Sequence, residues 1–406
     1  MKILLVSEYF PPQTMGGGEI NLALIAKALA EKKQDVSVLT SSFPPLPAYE
    51  ENSQCKIYRR IKTGSNPNQL KGNFFRRFAF PKSLVQEIKK LHQEHSFDVI
   101  HLFGLALLAA PKLNHPNIVA TIESYPSLCP KGDRMFQGKM ECPHVCSALQ
   151  FLPCQLKSKE IGKMKNKWYL KYNPLFLYFN YSLYKKLNKA LGSCRLISIS
   201  KYVQKLLAMH HQQSIVIGNI IEKRKASTVQ LSHQKKRILY LGSLTAYKGP
   251  QILAEALKGL PYRCDFYGSG PLQPYLEKKI KEYQLDAAIH APMLYEQVPQ
   301  LYADADIVVV PSLWPEPFGR IPLEAQAAGK MVVASNTGGI PETAQEAILV
   351  PSGDVQALHQ VLGSLAEKLP TVKKELLTLY AVEAIMAQLI SAYNHTENPV
   401  SPATGH

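Results

Sequence analysis

Residues 307–325 read IVVVPSLWPEPFGRIPLEA, and this stretch decides the fold. Its first four residues are apolar and β-branched, which predicts a buried strand over Ile307–Val310. The prolines that follow predict a turn, and a helix is expected to begin near Phe318–Gly319. A buried strand, a loop and a helix form the unit from which doubly wound parallel sheets are built.

The same pattern recurs on both sides of this stretch, in two series. An amphipathic helix over Ile20–Glu31 separates the first two strands of the first series, and a helix over Pro250–Lys258 follows the first strand of the second. The predicted strands of the first series are Lys2–Ser7, Val36–Leu39, Val99–Leu102, Ile118–Ile122 and Leu196–Ile199. Those of the second series are Arg237–Leu241, Cys264–Tyr267, Ile289–Ala291, Ile307–Val310, Met331–Ala334 and Ile348–Val350. This alternation predicts an α/β protein with two Rossmann-like, doubly wound domains.

The 406 residues suffice for two such domains. The polar, basic segment Ile221–Lys236 is predicted to link them, which places the domains at 1–225 and 226–379. A last helix at about 380–394 is expected to cross back to the first domain. Because open α/β sheets bind ligands beyond the carboxyl ends of their strands, the two domains are expected to face each other across a deep cleft.

Positive charge is concentrated in the first domain. Residues 1–225 carry 33 Lys and Arg against 14 Asp and Glu, whereas residues 226–406 carry 14 against 17. This asymmetry is typical of a half that faces a membrane or a nucleic acid. The first residues run straight into a strand pattern without a signal-peptide core, and no apolar stretch approaches about 18 residues. A cytoplasmic protein, docked on the inner face of a membrane, is therefore expected.

Two glutamates in the opening stretch are candidate binding residues. Glu316 is expected in the loop before the helix, and Glu324 within the first turns of that helix. Free amides of Phe318, Gly319 and Arg320 at the helix N-terminus suit an anion or sugar hydroxyls. A carboxylate can accept hydrogen bonds from two vicinal hydroxyls at once. Taken alone, the two glutamates would favour a simpler explanation, a helix cap and a solvated helical residue.

The sequence around this pair resembles the family-4 glycosyltransferases, which have the two-domain GT-B fold. Their signature is two glutamates separated by seven residues, the first opening a Glu-Pro-Phe-Gly phrase, as Glu316 and Glu324 do here. The stretches AAGKMVVAS (327–335), TGGIPE (337–342) and VPSGD (350–354) are also similar to the family. The resemblance spans nearly the whole chain and is densest from residue 241 to residue 354.

The resemblance implies roles for these residues and a reaction. Glu324 is expected to hold the ribose of a UDP- or GDP-sugar, and Glu316 the donor sugar, while the amides of Phe318, Gly319 and Arg320 line the pocket. The implied transfer retains the anomeric configuration by a front-face route, in which the leaving phosphate assists the acceptor hydroxyl. It requires no protein nucleophile, no cofactor and no metal.

A second motif, LGSLTAYKG at 241–249, lies between a predicted strand and a predicted helix. Glycines let the backbone approach a diphosphate, and a lysine in such a loop can neutralise it. In the family an arginine usually follows the first glycine, but here Ser243 follows Gly242, whereas Lys248 is retained. Phosphate binding is therefore assigned to Lys248, backbone amides and the serine hydroxyl, and Lys248 is also expected to stabilise the leaving diphosphate during catalysis.

Three weaker motifs complete the predicted donor site. Gly16 and Gly17 match a family glycine pair that reaches the donor phosphate, and Glu19 a frequent acidic residue. Gly268 closes a strand, with nucleotide contact as an alternative to a purely structural turn. Met293 follows another strand, where the backbone can read the base.

The acceptor side departs from the family. Glu123 stands where the family often has a histidine, so it is a candidate for acceptor binding or a catalytic base, or alternatively a helix cap. His101 matches another family position and is interpreted as a structural histidine.

Four cysteines cluster at Cys129, Cys142, Cys146 and Cys154, within the insertion 129–154. Four thiolates can hold a structural zinc ion, but paired Cys-x-x-Cys spacings are missing. Reduced, unligated thiols are slightly favoured over zinc.

Basic and aromatic residues interleave in two segments, 70–82 and 163–189. The basic members include Arg76, Arg77, Lys82, Lys163, Lys165, Lys167, Lys171, Lys185, Lys186 and Lys189. The aromatic members include Phe74, Phe75, Phe78, Phe80, Trp168, Tyr169, Tyr172, Phe176, Tyr178, Phe179, Tyr181 and Tyr184. This mixture suits an anionic membrane surface, a single-stranded nucleic acid, or a core of aromatics beside solvated lysines.

The predicted function is a retaining glycosyltransferase that acts on a lipid-linked or cell-surface glycan precursor, without a nucleic-acid partner. The main alternative is a catalytically weakened subunit that binds a nucleotide-sugar within a glycosyltransferase complex, which Ser243 and Glu123 leave open. An epimerase or phosphorylase of the same fold, and a nucleic-acid-binding protein, are further rivals.

Overall fold

The computed structural model describes residues 1–13, 16–63, 70–158, 172–221, 235–367 and 378–395. The strands are β1 (Lys2–Val6), β2 (Asp35–Ser41), β3 (Tyr49–Glu51), β4 (Lys56–Ile61), β5 (Val99–Phe103), β6 (Ile118–Ile122), β7 (Met135–Phe136), β8 (Met140–Glu141), β9 (Arg195–Ser198), β10 (Ile215–Val216), β11 (Arg237–Leu241), β12 (Arg263–Tyr267), β13 (Ala287–His290), β14 (Ile307–Val310), β15 (Met331–Ser335) and β16 (Ile348–Val350).

The α-helices are α1 (Gly17–Glu31), α2 (Leu70–His95), α3 (Ala148–Lys157), α4 (Pro174–Leu191), α5 (Lys201–Met209), α6 (Pro250–Ala256), α7 (Gln273–Glu282), α8 (Val298–Asp304), α9 (Arg320–Ala327), α10 (Ile340–Thr343), α11 (Val355–Glu367) and α12 (Val382–Asn394). Short 3-10 helices cover Gly104–Lys112, Ala246–Lys248 and Tyr295–Gln297.

The chain divides into two compact units. Unit 1 comprises Met1–Gly138, Pro143–Ile220 and the segment from Val382, and unit 2 comprises Lys139–Cys142 and Ile221–Ala381. Helix α12 thus packs with unit 1, where Asn117 donates from Nδ2 to the carbonyl of Tyr393 over 2.8 Å. Much of the linker predicted at 221–236 lies outside the described residues.

Unit 1 is built on a sheet of strand order β10-β9-β6-β5-β1-β2-β4-β3. All neighbours are parallel except the edge pair β3 and β4. The chain leaves β1 in one direction and returns to its other side at β5, so the strand order reverses between these two strands. In open α/β sheets ligands bind at such a reversal.

Unit 2 is built on a fully parallel sheet of order β13-β12-β11-β14-β15-β16. The strand order reverses here between β11 and β14. Alternate residues of these strands enter two different cores, because Ile238 and Ile307 pack in one cluster and Leu239 and Val308 in another. Burial on both faces explains why the strands read as unbroken apolar runs.

The predicted strands were found with ends shifted by two residues or fewer, but β3, β4 and the two-residue strands β7, β8 and β10 were missed. Strand β4 reads KIYRRI, and its two arginines conceal the pattern. Arg59 is nevertheless only 2% exposed, because its guanidinium donates to Glu50 over 2.8 Å and to the carbonyl of Pro11 over 3.1 Å. A charged residue can be buried in a strand when such partners satisfy it.

Candidate functional site

The loops at the carboxyl ends of β11 and β14 pack closely enough to require glycine. Gly249, with φ of 72°, directly precedes α6, and a Cβ atom there would lie 1.8 Å from the carbonyl oxygen of Pro311. Gly338, with φ of 58°, places its own Cβ position 2.4 Å from the carbonyl oxygen of Glu316. Only glycine adopts such backbone angles without strain. The loop after β14 is therefore fixed against the loop after β11 by Gly249 and against the loop after β15 by Gly338.

The resulting contact brings together the side chains of Lys248 and Glu316. The Nζ of Lys248 lies 2.6 Å from Oε1 of Glu316, and the hydroxyl of Ser312 lies 3.1 Å from the same oxygen. The ammonium group also lies 4.8 Å from the ring centre of Trp314, a cation–π distance. Both charged side chains retain some exposure, at 30% for Lys248 and 14% for Glu316. This pair lies where the strand order of unit 2 reverses, the expected place for an anionic ligand.

Helix α9 begins at Arg320, directly after Gly319 in a left-handed conformation with φ of 91°. The hydroxyl of Thr343 lies 3.2 Å from the carbonyl oxygen of Phe318 and 2.9 Å from that of Gly319. A Cβ atom on Gly319 would lie 2.6 Å from the same hydroxyl. The predicted amides of Phe318, Gly319 and Arg320 therefore stand at the N-terminus of a helix whose start is held in place by α10.

The carboxylate of Glu324 lies in a cage of three donors. Its Oε1 accepts from Nε of Arg320 over 2.6 Å and from the hydroxyl of Tyr295 over 3.0 Å. Its Oε2 accepts from the hydroxyl of Tyr302 over 3.1 Å. Burial disfavours the charged guanidinium, but Glu324 and Tyr295 outweigh that cost and raise the pKa of Arg320. Glu324 is thus a carboxylate held in one orientation, 12% exposed.

The loop that carries Ser243 lies over a buried tyrosine. The hydroxyl of Tyr240 donates to the carbonyl of Ser243 over 2.9 Å. Burial, and then the charge of Glu316, raise the pKa of Tyr240, so this donor stays protonated. The Ser243 side chain lies 3.3 Å from the hydroxyl of Thr245. Ser243 therefore lies in a fixed loop, within the same motif as Lys248.

Gly268 joins two loops of the same sheet edge. Its Cβ position lies 1.9 Å from the carbonyl oxygen of Gly242, and Gly242 itself has φ of 149°. Gly268 thus has the structural role that the sequence allowed, and nucleotide contact remains a prediction. Met293 lies in an exposed loop, 37% exposed, between β13 and the turn that carries Tyr295.

Sequence reasoning missed Tyr295, Tyr302, Ser312 and Thr343. Ser312 lies within the quoted stretch, four residues before Glu316, so its proximity could have been anticipated. The two tyrosines come from the segment after β13, whose sequence has no motif that points to Glu324. Only the tertiary packing of that segment against α9 reveals them.

In unit 1, the predicted glycine pair forms the start of α1. The amide of Gly16 donates to the Glu19 carboxylate over 2.9 Å, and Gly17 is the first helical residue. The carboxylate of Glu123 faces the same helix start, because a Cβ atom on Gly18 would lie 2.9 Å from its Oε2. The Nδ2 of Asn21 lies 3.5 Å from its Oε1. Glu123 therefore lies beside the start of α1, and both the helix-cap and the acceptor interpretations remain predictions.

His101 is fully buried in β5, with both ring nitrogens engaged. Nδ1 lies 2.7 Å from the hydroxyl of Tyr393, and Nε2 lies 2.7 Å from that of Thr121. Burial, and then the charge of Arg195, lower the pKa of His101 to about 3, so the ring is neutral. This is the structural histidine that the sequence favoured.

The four cysteines are not gathered into one cluster of possible metal ligands. Among the residues that the structure describes, no group of three or more His, Cys, Asp and Glu side chains is placed to hold a metal ion. Cys154 instead accepts from the amide of Gln137 over 3.2 Å and lies 3.8 Å from Nζ of Lys131. Burial raises the pKa of Cys129, which keeps its thiol protonated. Cys142 is buried and Cys146 half-buried, and both are free of disulfides.

The basic and aromatic segments divide between core and surface. Tyr184 is buried, and Phe151 stacks with Tyr181 at 5.7 Å between ring centres. Among the side chains that the structure describes on α2, α3 and α4, the large apolar ones that remain exposed are Phe78, Leu149, Leu152, Leu175 and Tyr178. The side chains of Phe74, Phe75, Arg76 and Arg77 lie outside the described part. Lys163, Lys165, Lys167, Trp168, Tyr169 and Lys171 lie outside the described residues. No helix in the described part of the chain is long and apolar enough to cross a membrane.

Comparison with known proteins covers both units. The family model described as "Glycosyltransferase Family 4" matches residues 15–222, and the one described as "Glycosyl transferases group 1" matches residues 222–374. An uncharacterized glycosyltransferase of Methanocaldococcus jannaschii is 27% identical over 371 residues, which covers 84% of this chain and 82% of that protein.

Two solved structures show the fold. Sucrose-phosphate synthase from Thermosynechococcus elongatus matches with a TM-score of 0.71 and 20% identity, covering 97% of this chain and 98% of that one. The Anabaena protein HepE in complex with UDP-glucose matches with a TM-score of 0.63 and 17% identity, covering 96% of this chain and 98% of that one. The predicted α/β class and GT-B fold are thereby confirmed.

Proposed function

We propose that this chain, which belongs to glycosyltransferase family 4, transfers a sugar from a nucleotide-sugar to an acceptor hydroxyl with retention of the anomeric configuration. Its family membership makes it a glycosyltransferase. The observation that carries the finer proposal is the contact of Lys248 with Glu316 at the reversal point of the unit 2 sheet. The complex of HepE with UDP-glucose supports a nucleotide-sugar as the donor.

Each charged group of unit 2 has a proposed role toward this donor. Lys248 has three N–H donors, and the bond to Glu316 leaves two for diphosphate oxygens. Glu316, which already accepts from Lys248, has acceptor capacity left for a sugar hydroxyl. Glu324 accepts from the ribose hydroxyls. The amides at the start of α9 add positive potential where the diphosphate charge develops.

In the proposed step, one bond at the anomeric carbon breaks and another forms. The bond from this carbon to the diphosphate oxygen breaks, and the bond to the acceptor oxygen forms on the same face. The acceptor proton passes to the leaving diphosphate, whose developing charge Lys248 stabilises. The step requires no metal, cofactor or protein nucleophile. In unit 1 we assign Glu123 to the acceptor, and we keep the predicted role of Gly16 and Gly17 toward the donor phosphate.

Turnover of a panel of UDP-, GDP- and ADP-sugars tests this proposal. We expect one nucleotide to be released faster than the others, and we expect the product anomer, read by NMR coupling constants, to match that of the donor. Lys248→Met and Glu324→Gln should lose activity, whereas the exposed α7 substitutions Lys278→Met and Glu277→Gln should not. A product with the inverted anomeric configuration would refute retention. Equal effects on activity of the donor-site substitutions and of the α7 substitutions would refute the donor site.

A nucleotide-sugar-binding partner subunit is the second candidate function. The observation that favours it is Ser243, which leaves Lys248 as the cation of the motif at 241–249. Tight binding of a nucleotide-sugar without turnover would support this candidate over the enzyme, provided that turnover appears when a partner protein is added.

We further propose that unit 1 docks on an anionic membrane that presents a lipid-linked acceptor. Leu175 and Tyr178 on α4 are each 66% exposed, and Leu149 on α3 is 88% exposed. Exposed lysines of α4, Lys185 and Lys186, lie along the same helix. Apolar side chains beside lysines bind an interface by combining insertion with attraction to anionic lipid.

Sedimentation with vesicles tests the docking proposal. We expect the protein to bind vesicles of anionic phospholipid at low salt, to release them at high salt, and to ignore neutral vesicles. The double substitution Leu175→Ser and Tyr178→Ser should weaken binding, whereas Leu379→Ser, at an exposed leucine of unit 2, should not. Absence of binding to anionic vesicles at low salt would end the proposal.

A further inference from the structure

The cage around Glu324 leaves too few acceptor positions for the role proposed for it. An ionised carboxylate has about four lone-pair sites. Arg320, Tyr295 and Tyr302 occupy three of them, two on Oε1 and one on Oε2. A ribose diol that donates both of its hydroxyls needs two sites. One of the three donors must therefore leave when the nucleotide binds.

Arg320 and Tyr302 are firmly placed. The guanidinium of Arg320 is 13% exposed and makes a charge-assisted bond of 2.6 Å to Glu324, one helical turn away. Tyr302 is 4% exposed within α8. Burial, and then the charge of Glu324, raise the pKa of Tyr302, so its hydroxyl remains a donor. Displacement of either would require a largely buried side chain to move out of its place in a helix.

Tyr295 differs from both. It lies in a single 3-10 turn, Tyr295–Gln297, that follows β13 through an exposed loop. Leu294 before it is 70% exposed, and Glu296 after it is also exposed. The guanidinium carbon of Arg320 lies 5.1 Å from the centre of the Tyr295 ring, a cation–π distance. The exposed residues on both sides of Tyr295 nevertheless leave this turn without a core of its own, and a turn of this kind opens at a small cost in free energy.

Arg320 also offers hydrogen-bond donors to a ligand that replaces the Tyr295 hydroxyl. Nη2 of Arg320 donates to the Tyr295 hydroxyl over 2.6 Å. Nη1 of Arg320 is buried and has no hydrogen-bond partner in the described part of the chain. An unsatisfied buried N–H costs free energy, and a ligand oxygen that replaces the phenol can supply the missing partner.

We propose that the Tyr295 hydroxyl occupies the position of one ribose hydroxyl on Glu324, and that the turn carrying it moves away when the nucleotide binds. Tyr295 is then a positioning residue that keeps the carboxylate oriented in the free protein and competes with the donor. This inference rests on the proposed ribose-binding role of Glu324. It implies that the affinity for the nucleotide depends on two things, the contacts made in the complex and the free energy needed to displace the Tyr295 hydroxyl from Glu324.

The substitution Tyr295→Phe tests the competition, because it removes the hydroxyl and keeps the ring. With the tightest binder among UDP, GDP and ADP as probe, calorimetry should give a dissociation constant about three- to tenfold lower for Y295F than for the wild type. Tyr302→Phe is the matched control, and it should raise the dissociation constant, since this hydroxyl only orients Oε2. Equal or weaker binding by Y295F would overturn the inference.

A nucleotide without ribose hydroxyls separates competition from a general change of the site. The 2′,3′-dideoxy form of the same nucleoside diphosphate has no hydroxyl to displace Tyr295. The gain of Y295F over the wild type should therefore vanish with this probe. An equal gain with both probes would contradict competition for Glu324.

The substitution Glu324→Gln distinguishes failure of the inference from failure of the proposed function. Strong loss of binding in E324Q, without a gain in Y295F, would refute the competition and leave the donor site intact. Unchanged binding in E324Q would refute the ribose-binding role and the inference with it. Absence of binding of all three diphosphates to the wild type and to Y295F would overturn both.

Discussion

The Nζ of Lys248 lies 2.6 Å from Oε1 of Glu316, although the two residues are 68 positions apart in the chain. The contact joins the loops that follow β11 and β14, the neighbouring strands at which the sheet order of unit 2 reverses. In the proposed function, the cation of this ion pair binds the diphosphate of the donor and the carboxylate binds hydroxyls of its sugar.

The substitution Lys248→Met should lower kcat/KM for the nucleotide-sugar by about 10- to 100-fold. It removes a charge-assisted contact to phosphate, which is worth about 1.5–3 kcal/mol. If the lysine stabilises charge mainly in the transition state, most of the loss will fall on kcat. Steady-state kinetics measure both constants. The substitution Lys278→Met removes an exposed lysine of α7, outside the motif at 241–249, and should change neither kcat nor KM.

The substitution Ser243→Arg should strengthen donor binding. It places a cation at the position where the family usually carries arginine, beside the fixed loop that Tyr240 supports. We expect KM for the donor to fall by roughly tenfold, which corresponds to about 1.4 kcal/mol. Ser364→Arg, on the exposed side of α11, controls for the added net charge. An unchanged KM would show that phosphate binding is already complete without the arginine.

The sequence predicted most of the fold because the strands of both sheets are buried on two faces. Runs such as Ile307–Val310 are apolar throughout and cannot be mistaken for solvated segments. Strand β4 was missed because a buried arginine, Arg59, interrupts its pattern and is satisfied only by tertiary partners.

The residues of the candidate site that lie close together in the sequence were predictable, and those that come from distant segments were not. Glu316, Glu324 and Arg320 lie within one short stretch, and helical geometry alone brings the latter two together. Tyr295 comes from a different loop, and nothing in its sequence neighbourhood indicates a contact with Glu324. The four cysteines show that proximity in sequence is weak evidence for a ligand set, since no group of three or more metal-binding side chains is found among the described residues.

The substitution Gly249→Ala should destabilise unit 2 strongly. The added Cβ would lie 1.8 Å from the carbonyl oxygen of Pro311, and the backbone has φ of 72°. The two loops must separate to relieve this overlap, at a cost of at least about 2–3 kcal/mol in the free energy of unfolding. Thermal and urea denaturation measure the loss. Donor activity should fall as well, because Lys248 precedes this glycine directly.

Gly363→Ala provides the control for this prediction in the same unit. Gly363 lies within α11, and its Cβ would meet Cδ2 of Leu260 at 3.9 Å, an ordinary contact. Alanine in place of glycine inside a helix should stabilise by about 0.5–1 kcal/mol. Equal effects of the two substitutions would contradict the close approach of the loops after β11 and β14.

The buried His101 should make unit 1 sensitive to acid. Its folded pKa is about 3 because burial, and then Arg195, disfavour the imidazolium, whereas a histidine in an unfolded chain titrates near 6.5. Between these two values the unfolded state binds a proton that the native state does not. The free energy of unfolding therefore falls as the pH is lowered through this window, by up to about 1.4 kcal/mol per pH unit for this histidine. Stability from this source is fully present above pH 6.5, the unfolded value.

Urea unfolding of wild type and His101→Asn at pH 7.5 and pH 5.0 tests this linkage. The substitution should lower stability at pH 7.5, because the bonds to Thr121 and Tyr393 are disturbed. It should also reduce the further loss between the two pH values, because one of the titrating groups is gone. His210, whose pKa burial lowers to about 4, acts in the same direction and should leave a residual slope. If both proteins lost equal stability between pH 7.5 and pH 5.0, His101 would not be the group that burial keeps neutral.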